Sequence, residues 1–191
     1  MDWRGEIAAG IYGASRLALG DAGGVGYINS TLRGFWRSFA AMGIVAPLYA
    51  SVLLLVYEDS VDILEPVRFF SVHSIGYVVS WFVYPFIMFY LVQAIERERR
   101  YFAYIATYNW ASVIQNFVYI PLVVIAILGL VPNDLAYFLS FVVKTFVFVY
   151  SWFIARAALG VSSPIAAAIA AGDLVLSLMM NAITEAMLRA N

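Results

Sequence analysis

Five runs of apolar residues dominate this chain, each long enough to cross a bilayer, which takes about 20 residues of helix. They are Ser38 to Tyr57, Phe69 to Ala94, Phe102 to Val131, Leu135 to Ala158, and Pro164 to Leu188. In hydrocarbon a backbone N–H or C=O has no water to bond, so a spanning segment must satisfy itself as a helix or a closed barrel. Runs of this length select helices. The expected fold is all-α, a polytopic five-helix transmembrane bundle. The third run is long and holds Pro121, which predicts tilt or a kink. Connections are short, so neighbouring spans should pair as antiparallel hairpins.

Composition agrees. Of 191 residues, 64% are hydrophobic and 12% charged, against roughly 25% charged in an ordinary soluble domain. A net charge of −1 and the lack of a basic tail speak against nucleic-acid binding. Cysteine is absent and there is one histidine, which excludes disulfides and thiolate or histidine-based metal sites. No cleavable leader is evident, and the first span is expected to act as an uncleaved signal. The His-Glu-x-x-His, Gly-x-Ser-x-Gly, P-loop and dinucleotide patterns are missing. No enzyme activity and no cofactor are expected.

Residues 1–29 form a separate segment ahead of the transmembrane domain, residues 30–191. Trp3, Ile7, Ile11 and Tyr12 recur at helical spacing, which predicts a short amphipathic helix lying at the membrane interface. The glycine-rich stretch 20–26 breaks it, and Asn29 or Ser30 is positioned to cap the next helix. Arg4, Arg16, Arg33, Arg37, Arg97, Arg99, Arg100 and Arg156 fall on one side of a five-span topology, and Arg68 and Arg189 on the other. By the positive-inside rule this predicts a cytoplasmic N-terminus and an external C-terminus, as in a bacterial inner-membrane protein.

Lys144, the one lysine, interrupts the fourth run. An unpaired ammonium at that depth costs at least ~2.5–3.5 kcal/mol on insertion scales. The expectation is that Lys144 faces inward and pairs with Asp173 of the fifth run, although a helical rise of 1.5 Å per residue leaves them offset by roughly 9 Å along the membrane normal. Other polar residues line single helical faces: His73, Tyr77, Ser80 and Tyr84; Asn109, Ser112, Asn116 and Tyr119, with Tyr108 and Gln115 beside them; Ser140, Lys144 and Ser151; Asp173, Ser177, Asn181, Thr184 and Glu185. These faces should converge inside the bundle. Two roles fit: interhelical glue, at roughly 0.6 kcal/mol per bond, or a polar path. The small-residue stretch 166–172 permits close helix approach.

The layout resembles the Yip1-domain membrane proteins over residues 30–190. The likeness lies in Tyr101-Phe-Ala-Tyr-Ile-Ala-Thr-Tyr-Asn-Trp110 followed by Pro121, and in Trp152-Phe-Ile-Ala-Arg156 leading to Leu159-Gly-Val-Ser-Ser-Pro-Ile-Ala166; Arg33-Gly-Phe-Trp-Arg-Ser-Phe39 looks characteristic of bacterial membrane proteins. The resemblance implies five spans behind a cytoplasmic N-terminal segment. Eukaryotic members act in vesicle trafficking and bind small GTPases, and no GTPase-binding motif matches here. The expected function is a non-enzymatic membrane protein that organises protein partners or lipids around a polar network at Lys144. The alternative is a small transporter or channel using Lys144 and Asp173. The expected partners are the bilayer, other membrane proteins and further copies of the chain.

Overall fold

A computed structural model describes residues 2–58 and 65–189. Among these there are no strands, and seven α-helices account for most of the chain: α1 (Trp3–Ala18), α2 (Leu32–Ser38), α3 (Ala40–Glu58), α4 (Pro66–Ala94), α5 (Tyr101–Ile127), α6 (Asn133–Leu159) and α7 (Ser163–Arg189). Helices α2 and α3 make one span, Leu32–Glu58, broken for a single residue at Phe39; with α4 to α7 this gives five helices long and apolar enough to cross a membrane. The chain is an all-α polytopic membrane protein.

Local chemistry sets the ends. Asp2 caps α1 by accepting from the Gly5 N–H at 2.9 Å. The cap of α2 is Thr31, whose hydroxyl accepts from Gly34 N at 3.1 Å. Asn29 serves one step earlier, accepting from both Thr31 N (3.1 Å) and Thr31 Oγ1 (2.8 Å). The third span stops at Ile127, four residues short of the expected end, because Gly129 takes a left-handed φ of 64° and Pro132 opens the next helix. A glycine in that conformation closes a helix at little steric cost. Pro47, Pro85 and Pro121 all lie inside helices. The carbonyl of Pro85 is taken by the Tyr101 hydroxyl at 3.0 Å.

Helix α5 is central. It lies against α1, α2, α3 and α6, while α7 bridges α6 and α4. The expected hairpins form at α5–α6 and α6–α7, but α4 packs mainly on α7, its distant neighbour in sequence. Arg68 donates to the Met187 carbonyl at 2.8 Å at one end of that contact. Burial is concentrated toward the end that carries α1, the start of α5 and the end of α6. Ten residues of α5 between Tyr104 and Ile120 are buried, and in α6 burial begins only at Tyr150. The opposite halves of α6 and α7 are largely exposed.

Helix α1 forms where amphipathic spacing predicts it, and it also packs on the bundle. Its buried face is Glu6, Gly10, Gly13, Ala14 and Leu17. Ile7 and Ile11 flank that face and pack against the core; Trp3 lies at its open N-terminal end, about half exposed, and Tyr12 is about half exposed on the far side. Gly10 lies so close to the Trp110 ring that a Cβ there would fall 2.5 Å from it, and Gly13 meets the backbone of Gly24 as closely. The Tyr150 hydroxyl donates to the Ala14 carbonyl at 2.6 Å. The helix is thus keyed into α5 and α6 by its small residues, as transmembrane helices pack on one another.

A polar lock accompanies this packing. Glu6, 4% exposed, accepts from Asn29 Nδ2 at 2.9 Å and forms an ion pair with Arg37 of α2. The Arg37 guanidinium also lies 5.3 Å from the Trp3 ring. A second pair, Arg16 with Asp21, ties the end of α1 to the following turn, where Arg16 also donates to Tyr27 Oη at 2.9 Å. The Gly23 N–H, and then Arg16, hold the Asp21 carboxyl below its ordinary value. A depressed carboxylate contributes stability above its unfolded pKa that is lost as pH falls through the folded one.

Removing one partner of a buried ion pair typically costs ~3–5 kcal/mol, because the other is left buried and charged. Glu6→Ala is therefore expected to destabilise the protein in detergent, read by thermal unfolding, by an amount toward the lower end of that range, since Arg37 keeps some solvent contact. Combining it with Arg37→Met should recover part of the loss. Additive losses in that double-mutant cycle would show the two side chains to be independent.

Candidate functional site: a tyrosine–aspartate cluster inside the bundle

Three tyrosines and one acid meet where α4, α5 and α7 face one another. Tyr104 and Tyr108 are one turn apart on α5, so they share a face. The Tyr108 hydroxyl donates to Asp173 Oδ1 of α7 at 2.8 Å. The Tyr84 ring of α4 stacks on Tyr108 with centroids 4.2 Å apart and planes 23° from parallel, and the Tyr84 and Tyr104 hydroxyls share a hydrogen bond. Tyr84 and Tyr104 are buried. Asp173 is half-buried, and Tyr108 is the one hydrogen-bond partner its carboxylate has among the described residues.

The expected Lys144–Asp173 pair does not form. Lys144 is exposed on α6 and makes no ion pair among the described residues. Two geometric facts account for this. Lys144 lies fifteen residues from the C-terminal end of α6 and Asp173 ten from the start of α7, an offset of roughly 7 Å in height at 1.5 Å per residue. Lys144 shares a face with Ser151, two turns on, but burial on α6 begins only at Tyr150, so that face is uncovered at the depth of Lys144. Asn181 and Ser177, expected near Lys144 in the interior, are exposed on α7.

The remaining polar residues mostly serve neighbouring helices or their own. Gln115 Nε2 donates to Ser151 Oγ across α5–α6 at 3.1 Å. Asn109, fully buried, donates to Ser38 Oγ at 2.9 Å, and its Oδ1 has no partner. Ser112 and Asn116 bond back to their own helix, at Tyr108 O (2.9 Å) and Ser112 O (2.8 Å). His73 Nδ1 stands 3.4 Å from Tyr49 Oη, near the outer limit of a hydrogen bond. Tyr77 donates to Met42 O at 2.6 Å, linking α4 to α3. Ser80 is exposed and bonds to Tyr77 O of its own helix. Tyr119 is half-buried and packs against the core. Glu185 pairs with Arg189 at 3.4 Å, both exposed, where such a pair contributes little. The convergence expected of four stripes is thus realised at three places: Asp173 with its tyrosines, Gln115 with Ser151, and Asn109 with Ser38.

Sequence reasoning missed Tyr104 and the Glu6–Asn29–Arg37 lock. The signal for Tyr104 was its four-residue spacing from Tyr108. For Glu6 there was none, because an acid near a chain start reads as solvated. No protein-family model, curated protein or solved structure matches this chain.

Losing the donor of a buried acceptor costs ~1–3 kcal/mol, and more where the acceptor is charged. Tyr108→Phe is therefore expected to destabilise the protein in detergent by at least that amount. Lys144→Met should stay within about 0.5 kcal/mol, as a surface substitution does. A large loss for Lys144→Met that Asp173→Asn rescues would contradict this arrangement.

Proposed function

We propose that this chain is a non-enzymatic integral membrane protein that organises protein partners or lipids. The observation that carries the reading is the division of polar groups. Asp173, Gln115 and Asn109 each bond to a side chain on another helix, as structural glue does. Lys144, in the middle of the fourth span, is exposed and has no acid partner among the described residues. A cation displayed on the outside at membrane depth is costly until something anionic or polar meets it. A partner that supplies such a group gains affinity from it.

The end that carries α1 and the 96–100 turn is the cytoplasmic one in this reading, in a bacterial inner membrane. Supporting this are Arg4, Arg33, Arg97 and Arg99, all exposed at that end, and the rule that cytoplasmic ends carry the excess of arginine and lysine. A second reading, a small transporter, draws on Asp173, an acid within a span whose carboxylate is incompletely covered.

The full chain, extracted from its native membrane in a mild detergent and weighed intact, should carry bound protein or lipid, and Lys144→Met should weaken that retention. A bare monomer whose proteoliposomes dissipate an ion gradient, with Lys144→Met or Asp173→Asn abolishing the flux, would overturn the organising role in favour of transport.

A further inference from the structure

We infer that a groove between α2 and α4 is a binding site for one acyl chain of an anionic phospholipid, whose head group is held by Arg33. The inference takes from the proposed function only that the bilayer is a partner.

The groove has a volume of about 480 Å³ and is lined almost wholly by apolar atoms, among them Trp36 and Phe39 of one wall and Val79, Phe82 and Phe86 of the other, with Tyr101 at its inner end. A second shallow depression, lined by Ser74, Ile75, Val78 and Val79, adjoins it along α4. From Phe86 to Ser74 is twelve residues of one helix, roughly 18 Å at 1.5 Å per residue. One leaflet of hydrocarbon is roughly 15 Å deep, half of the ~30 Å core. Together the two depressions are as long as the chain of a single lipid and run along α4, a helix long and apolar enough to cross a bilayer. The walls of the groove are aromatic and stiff. The two walls meet where Phe39 and Phe82 stack at 5.0 Å and 12°, which makes that pair the base of the groove, and Phe35 packs on Tyr101 at 5.7 Å.

Charge at the mouth selects the lipid. Arg33 stands three residues before Trp36 on α2, so the two share a face. It is exposed and makes no ion pair among the described residues. Arg37, one turn on, is already committed to Glu6. The adjoining turn adds exposed Arg97 and Arg99 against Glu96 and Glu98, so the local balance with Arg33 is positive. A guanidinium at the level of the head groups binds phosphate oxygens in a bidentate fork. A second copy of the chain would cover the groove without any use for that cation.

Trp36 makes the site directly observable. The full chain is reconstituted in phosphatidylcholine vesicles containing a minor, fixed fraction of lipid brominated on its acyl chains, either phosphatidylglycerol or phosphatidylcholine. The Trp36 signal is the difference between wild type and Trp36→Phe. It should be quenched by brominated phosphatidylglycerol with an apparent affinity about fivefold higher than by brominated phosphatidylcholine, the equivalent of about 1 kcal/mol for one basic residue at an anionic surface. Arg33→Gln, an exposed and unpaired position, should bring the two lipids to parity, and raising salt should narrow the gap in wild type. Equal quenching by both lipids in wild type would mean annular lipid only, and no quenching of Trp36 by either would mean that something other than lipid covers the groove. Either result overturns the site but leaves an organising role through protein partners intact. That role fails separately, by the Lys144-dependent flux described above.

Discussion

The packing of helix α1 onto the inner half of α5 is the contact on which the rest of this bundle depends. Residues Tyr104 to Val113 of α5 are almost all buried. They meet α1 at Trp110, α2 at Asn109 and α7 at Tyr108. In hydrocarbon there is little hydrophobic force between helices, so association rests on close van der Waals contact and on hydrogen bonds. Both are concentrated here. Gly10 and Gly13 let α1 approach far enough for Tyr150 to reach the Ala14 carbonyl, and the Glu6–Arg37 pair fixes α1 to the helix that opens the first span. The outer halves of α6 and α7 lack such a partner and remain largely exposed.

Exposure of those outer halves gives the intramembrane polar residues two different roles. Where helices are close, Asp173, Gln115 and Asn109 find donors or acceptors on a neighbour, and the polar group tightens the bundle. Where they are apart, Lys144, Ser177 and Asn181 face outward. The same residue types therefore act as glue at one depth and are left exposed at another. Asn109 marks the limit of the first role, since its Oδ1 is buried without a partner. A buried acceptor left unmade costs ~1–3 kcal/mol, which the surrounding contacts of α5 must offset.

Much of the fold was legible in the sequence, because span number and approximate ends follow from run length alone. Asp173, Asn109 and Gln115 were also legible as interior polar residues, from the cost of exposing them to lipid. Their partners were not. Helical periodicity says which residues share a face, but not how that face is rotated toward its neighbours. Nor does it say how far along a helix that face stays covered: Lys144 shares its face with Ser151, which meets Gln115 of α5, but the face is uncovered at the depth of Lys144. The energetic argument assumed that a single chain must satisfy its own cation, and it fails if the partner is lipid or another molecule. Helix α1 was legible as a helix, but its docking face was not. A search for apolar spacing weights Trp3, Ile7, Ile11 and Tyr12, whereas the docking face is made of Gly10, Gly13 and Ala14, which such a search scores as nearly neutral. Close packing selects small residues, and large apolar ones then fall beside or opposite the contact.

The docking of α1 is tested most directly by the sign of one substitution, Gly10→Ala, followed by thermal unfolding of the full chain in detergent. In a helix lying free at the membrane surface, alanine in place of glycine stabilises by up to ~1 kcal/mol through helix propensity. In the structure described here the added Cβ would stand 2.5 Å from the Trp110 ring, and overpacking of a tight contact costs ~1–3 kcal/mol. The account predicts a lowered unfolding temperature, partly restored when Trp110→Leu makes room. A raised unfolding temperature for Gly10→Ala alone would show that α1 is not packed against α5 and would contradict the account.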